Sequence, residues 1–407
     1  MTAALATEEH ESGVDSGAVE VAVTGGGDEP RKRRYGWRAW LPAGVLILVV
    51  AGGVLLLLLL VLAGGESESE RMGEGHQDAS TPTSAGEADL HVSVEALHPA
   101  SSQGLEGVQV MHGLLETGGV YLAVGQQTLD PDEDDAAVWQ STDGREWVAV
   151  RTATLDGVPG FQSMYGLIDV GGSFIAVGAD DRGGSSDAAV WQSTDGHEWI
   201  RQNRAELWGV EGRQAMLDVV RVGDLLVAVG VDDSADGLGD GAVWTSVDGT
   251  SWTRVAEGDL SGVPGRQEMF AVAVVGDRLL AAGSSADAGS GASDAAIWES
   301  TDGGKRWGRV EASGLAGSDG TQIMQGLADL DGLLVATGVD DRNDADGDAA
   351  VWISQDAVEW RAVAVDELSS VPGRQEMFGL ISTAEGGFAG GSSESDLGLW
   401  YLELDQP

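Results

Sequence analysis

The chain has 407 residues, with 67 acidic and 22 basic side chains, a net charge of −45 and no cysteine. Without cysteine there are no disulfides, no thiolate metal sites, no cysteine nucleophile and no lipid-modified cysteine behind a leader. The acidic balance makes nucleic acid a poor partner, and none is expected, because one polyanion repels another.

In chain order, residues 1–40 come first. They are small, acidic and aperiodic up to a basic cluster of Arg31, Lys32, Arg33, Arg34 and Arg38. Such a composition cannot bury enough apolar surface to fold, so a disordered tail is expected. Residues 41–63, "LPAGVLILVVAGGVLLLLLLVLA", carry no charge. As a helix at ~1.5 Å per residue the segment is roughly 34 Å long, enough to cross a bilayer. Basic residues precede it and Glu66, Glu68 and Glu70 follow, which places the N-terminus in the cytoplasm and the remainder outside. Tyr35, Trp37 and Trp40 stand where interfacial aromatics belong. A cleaved signal peptide is the rival reading, but its apolar core of ~7–15 residues would be shorter than this one. A single-pass cell-membrane anchor is therefore expected, followed by a flexible linker over 64–89.

Beyond the linker one string, "VPGRQEMF", occurs twice, at Val263–Phe270 and Val371–Phe378. It belongs to a sixfold repeat. Gln recurs at 109, 162, 214, 267, 322 and 375, and Met follows two residues later each time. Twelve residues after each Met stands an Ala: Ala123, Ala176, Ala228, Ala281, Ala336 and Ala389. An acidic loop, an Asp and a Trp four residues on complete the unit, at Trp139, Trp191, Trp244, Trp298, Trp352 and Trp400. The period is 52–55 residues. The apolar runs are short, β-branched and bounded by Gly and Asp, which are strand signals. Four short strands per unit, six times over, predict an all-β, six-bladed β-propeller over residues 90–407. The last unit lacks its fourth strand, and an orphan alternating run, "LHVSVEAL" at 90–97, precedes the first. The N-terminal strand is expected to complete the blade that the C-terminus leaves open, because an open ring would expose strand edges.

The connection after each of the first five of these Trp residues is also patterned. Ser300, Asp302, Gly304 and Trp307 fit the Asp-box spacing Ser-x-Asp-x-Gly-x-x-Trp. Ser141, Asp143, Gly144 and Trp147 repeat it one residue shorter, as do Ser193, Asp195, Gly196 and Trp199, and Ser246, Asp248, Gly249 and Trp252. "SQDAVEW" at 354–360 has lost the Gly. On these residues the chain resembles the Asp-box (BNR-repeat), sialidase-like β-propeller superfamily. An Asp in a tight turn accepts backbone N–H bonds, Gly supplies positive φ and Trp covers the turn, so these residues are read as structural. The resemblance implies an arginine triad, a Tyr–Glu pair and an Asp acid for sialidase chemistry. This chain lacks the Arg-Ile-Pro motif, and Tyr121, Tyr165 and Tyr401 fall inside predicted strands. His112 and His197 are isolated and read as incidental.

Candidate site residues come from the repeat and its exceptions. Arg213, Arg266 and Arg374 precede the Gln in three units, where the others have Val108, Phe161 and Thr321. With Gln214, Gln267 and Gln375 they would ring the mouth of a central channel, either holding an anion or pairing with Glu268 and Glu376. Asp135, Asp187, Asp240, Asp294 and Asp348 begin the third strands among acidic loops, where carboxylates either cap turns or ligate Ca²⁺. The expected function is a membrane-anchored, extracytoplasmic, non-catalytic binding or scaffold module for an unidentified protein or glycan. Two alternatives stay open: a carbohydrate-active hydrolase or lyase, needing two opposed carboxyls, and a Ca²⁺-dependent adhesion module.

Overall fold

A computed structural model describes residues 91–97, 107–130, 133–152, 154–155, 157–182, 186–202, 207, 212–233, 239–255, 260, 265–286, 292–315, 320–341, 347–363, 373–393 and 396–405. The tail, the apolar segment 41–63, the linker and parts of the acidic loops lie outside these. Among the described residues no helix is long and apolar enough to cross a membrane.

The first strand, β1 (His91–Leu97), precedes the first blade. Blade 1 is β2 (Val108–Thr117), β3 (Val120–Asp130), β4 (Glu133–Ser141) and β5 (Val148–Val150). Blade 2 is β6 (Gln162–Asp169), β7 (Phe174–Asp180), β8 (Asp187–Ser193) and β9 (Ile200–Arg201). Blade 3 is β10 (Gln214–Val222), β11 (Leu225–Asp232), β12 (Asp240–Ser246) and β13 (Thr253–Arg254). Blade 4 is β14 (Arg266–Val275), β15 (Arg278–Ala286), β16 (Asp294–Ser300) and β17 (Gly308–Arg309). Blade 5 is β18 (Gln322–Leu330), β19 (Leu333–Asp340), β20 (Asp348–Ser354) and β21 (Arg361–Ala362). Blade 6 is β22 (Gln375–Thr383), β23 (Gly386–Ser393), β24 (Asp396–Asp405) and, as its outermost strand, β1. The first strands of the blades touch in the cycle β2–β6–β10–β14–β18–β22–β2, so the ring is closed. The closing strand is the one expected from sequence: β1 pairs antiparallel with β24 from His91↔Asp405 to Leu97↔Leu399.

The repeat explains the packing. All six Met residues, and all six Ala residues, are fully buried at 0% exposure. Each Ala lies directly opposite the first Trp of its unit, from Ala123↔Trp139 to Ala389↔Trp400. A methyl facing an indole lets two strands carry one large ring per blade without overpacking. The Gln does not join blades with its side chain in the bonds seen for Gln109 and Gln162. Gln109 Oε1 accepts from Trp139 Nε1 of its own blade at 3.0 Å. Gln162 Nε2 donates to the carbonyls of Val158 and Gly160 just before it. The main chain does the joining instead: the N–H groups of Gln214, Gln267 and Gln375 donate to Ser186, Gly239 and Gly347 of the preceding blades.

The Ser-x-Asp turns form as their residues require. Asp143 Oδ1 accepts from the N–H groups of Arg145 and Glu146, both at 2.8 Å, and Trp147 Nε1 donates to Gly144 at 3.0 Å. The turn that has lost its Gly keeps the same bonds, with Ala357 taking the position at φ 70°.

One regularity is absent from the sequence reading. Every innermost strand carries a β-bulge just after its Met, for example between Met111 and Gly113 and between Met216 and Asp218. The bulge adds one residue and re-aims its side chain. It places His112, Tyr165, Leu217, Phe270 and Gln325 on the wall of the central channel. The next position is Gly in four blades because adjacent strands nearly touch there. A Cβ on Gly379 would lie 2.3 Å from the His112 carbonyl oxygen, and one on Gly166 would lie 2.7 Å from the Asp218 Cα.

Candidate functional site

The three arginines stand where alternation puts them, at the start of the innermost strands, and each is ion-paired. Arg213 and Arg266, from adjacent blades, both donate to Glu268 Oε1 at 2.7 Å. Arg374 donates to Glu376 Oε1 at 2.6 Å. The carboxylates lie behind the guanidiniums: the Glu268 and Glu376 side chains are 3% and 0% exposed, against 22–31% for the three arginines. Burial alone would raise Glu268, but Arg213 and Arg266 outweigh it and hold the carboxyl below its usual range. At Glu376 burial wins over the single Arg374 and the carboxyl is pushed up. Its Oε2 has no hydrogen-bond partner among the described residues.

A second polar group lies on blades 1 and 2, with Asp134 on the third strand of blade 1 and Tyr165 and His112 on the channel wall. Asp134 accepts from Thr128 Oγ1 and, at 3.4 Å, from Gln126 Nε2. Burial raises its carboxyl, with Asp135 and Asp181 adding to the effect. Tyr165 lies within the electrostatic reach of Arg213, Asp134 and Glu268, and burial pushes its phenol up to about 12. That is the wrong direction for a tyrosine nucleophile, which needs a lowered pKa. His112, read as incidental, packs between Tyr165 and Phe378 with ring centroids 4.8 and 4.6 Å away. Burial lowers its imidazole to about 4, so it stays neutral.

The acidic positions are engaged in local structure. Asp135 accepts from the N–H groups of Gly157 and Val158. Asp187, Asp240 and Asp348 lie opposite Asp180, Asp232 and Asp340, and Asp294 lies opposite Ser285. Arginines answer two of these acidic pairs: Arg201 Nε lies 2.5 Å from Asp180, and Arg254 Nε lies 3.4 Å from Asp232. Among the described residues no three His, Asp or Glu side chains converge as a metal site. In the acidic loops, Asp181, Asp233 and Asp341 turn back to accept from the N–H groups of Phe161, Arg213 and Thr321.

Asp218 has no counterpart in the repeat. It occupies the position after the bulge where four blades have Gly, and its carboxylate accepts from Val219 N at 2.7 Å and from Val272 N of the next blade at 2.8 Å. Burial pushes this carboxyl to about 7, against the pull of those two N–H donors. Its folded pKa is thus raised above the ordinary 3.8. The stability it contributes is full below the unfolded value and is lost as pH rises through about 7. Because the side chain also borders the channel, we expect wild type to lose only about 1–3 kcal/mol relative to Asp218→Ala between about pH 4 and pH 8. Denaturant midpoints of both proteins across that range check it, and a pH-independent difference refutes it.

Neither a family model nor a curated protein sequence matches this chain. Solved structures do. A mutant of Trypanosoma rangeli sialidase displaying trans-sialidase activity superposes with a TM-score of 0.50 at 11% identity, over 78% of this chain and 59% of that one. The α-L-arabinofuranosidase Arb93A from Fusarium graminearum, in complex with an iminosugar inhibitor, gives a TM-score of 0.50 at 12% identity, over 79% of this chain and 98% of that one. The same enzyme class from that fungus with arabinobiose gives a TM-score of 0.50 at 12% identity, over 77% and 97%. The chain spans 56% and 59% of the two sialidase chains it matches. At these identities the likeness speaks for fold and not for activity: the chain is a six-bladed β-propeller, the fold that these enzymes share with it.

Proposed function

We propose that this protein is a carbohydrate-active propeller that takes an acidic sugar at the mouth of its central channel. The observation that carries the reading is Glu268 shared by Arg213 and Arg266. Two guanidiniums on one carboxylate set a fixed pair of forks at the mouth of a chain whose net charge is −45. The carboxylate behind them orients the forks and both arginines are partly exposed, the arrangement in which Arg takes a ligand carboxylate. The fold shared with a sialidase and arabinofuranosidases supports a carbohydrate over a protein ligand. The apolar segment 41–63 would tether the domain outside the cell, an orientation tested by protease access to a C-terminal tag in whole cells.

The test is thermal unfolding of the full chain with sialic, glucuronic and galacturonic acids, beside glucose as the uncharged control. A bound acid at ~100 times its dissociation constant adds roughly 2.7 kcal/mol to wild type. Arg266→Ala should lose that gain. If no acidic sugar stabilises wild type, or if Arg266→Ala gains equally, the reading falls.

A hydrolytic version rests on one further observation: Asp134 is half-buried, bonded to Thr128 and Gln126, and burial raises its carboxyl, the direction a general acid needs. Release of reducing ends from an acidic oligosaccharide, abolished in Asp134→Asn, supports this version, and product release unchanged by that substitution excludes it.

A further inference from the structure

A cavity of about 210 Å³ occupies the channel beyond the Met row, on the side of the first hairpins. It is walled by the bulge residues His112, Tyr165, Leu217, Phe270 and Gln325 and by Asp218. None of the mouth residues, Arg213, Arg266, Glu268, Arg374 or Glu376, lines it. The space is thus separate from the mouth and partly open to solvent.

Its polar groups are unevenly satisfied. Gln325 is 5% exposed, yet neither its Oε1 nor its Nε2 has a hydrogen-bond partner among the described residues. A buried amide with both ends unmet costs stability, so such groups are ordinarily matched. No other blade carries an amide at this place in the repeat. Across the ring, Asp218 stands where four blades have Gly.

We propose that this cavity binds one neutral, polyhydroxylated small molecule, on the scale of a monosaccharide. The complementarity is chemical. Gln325 presents a donor and an acceptor side by side, and two neighbouring hydroxyls answer both, since each hydroxyl donates and accepts. A quaternary ammonium answers neither, and a primary amine answers only the oxygen. Asp218 supplies a carboxyl group to a third hydroxyl. Phe270, Leu217 and the ring face of Tyr165 give the wall an apolar side that matches the C–H face of a sugar or alditol, and His112 adds a further polar group. At about 30 Å³ per molecule roughly seven waters would fill the same volume, but water meets only the polar half of the wall and wets the rest.

The experiment uses the full chain with glucose, arabinose, xylitol and mannitol, none of them charged, read by thermal unfolding and titration calorimetry. At least one should raise the melting temperature of wild type and of Arg266→Ala, and none should raise that of Gln325→Met. The Met variant is close in shape and removes the unmet amide, so it should melt above wild type when no probe is present. If Gln325→Met does not fold, Asp218→Asn carries the same comparison. The proposal is overturned if no neutral probe shifts wild type, which leaves the cavity holding water only, or if the variant responds as wild type does. Failure here leaves the acidic-sugar site standing, because that site is lost in Arg266→Ala and kept in Gln325→Met.

Discussion

Deleting residues 91–97 should bring the propeller close to unfolding. The strand they form is the outermost of blade 6, laid against the C-terminal strand over seven paired residues. Val92 and Val94 are each 6% exposed and belong to the core cluster around Trp400 and Leu402. Full burial of two such side chains is worth about 3–6 kcal/mol together. The deletion also turns β24 into an uncovered edge and exposes Leu402, now at 0%. Against a typical total of about 5–15 kcal/mol, a loss of about 4–8 kcal/mol removes most of the margin. Deleting 64–86 from the linker is the matched control and should leave the melting temperature unchanged. Equal melting temperatures for the two deletions would show that β1 does not hold the ring closed.

The architecture was legible because a propeller repeats its packing problem six times. A Met that fills a core position and an Ala facing a Trp recur in all six units, and a Ser-x-Asp turn in five, at nearly fixed spacing, so the blades corroborate one another. The closing strand was legible from a deficit, since the last unit lacks the strand that 91–97 supplies. The site was less legible, for the opposite reason. The channel residues stand at a bulge, where alternation breaks and side-chain direction no longer follows from counting. His112 looked isolated in sequence, and Tyr165 looked like any strand residue. The column after each Met, His-Tyr-Leu-Phe-Gln-Phe, was the available signal. It varies most where its neighbours vary least. Glu268 and Glu376 are the partners named by the pairing alternative, which the sequence leaves open beside anion binding. That one glutamate holds two arginines depends on the approach of adjacent blades, which the sequence does not state.

That asymmetry yields the second large effect: Glu268→Gln should destabilise strongly, and Glu376→Gln hardly at all. The two glutamates hold the same place in the repeat and are equally buried, so burial penalises their charges alike. They differ in company. Glu268 has Arg213 and Arg266, each at 2.7 Å, whereas Glu376 has Arg374 alone and one oxygen without a partner. Neutralising Glu268 removes the carboxylate that both guanidiniums share and leaves them crowded together. Breaking a buried pair costs about 3–5 kcal/mol, and because these arginines are partly solvated a loss of about 2–3 kcal/mol is expected. Neutralising Glu376 frees one arginine but also removes a carboxylate that burial disfavours, so the change should lie within about 1 kcal/mol of zero. The pH dependence separates the two by sign. Glu268, held low, contributes stability above the ordinary glutamate value of 4.5 and loses it as pH falls through its folded value. Glu376, pushed up, contributes most below 4.5 and loses that contribution as pH rises through its folded value. Wild type should therefore gain on Glu268→Gln as pH rises, and Glu376→Gln should gain on wild type over the corresponding rise. Urea unfolding of the three proteins at about pH 4 and about pH 7 measures both trends. Parallel behaviour of the two variants would mean that the second arginine adds nothing, and the paired forks on which the acidic-sugar site rests would go with it.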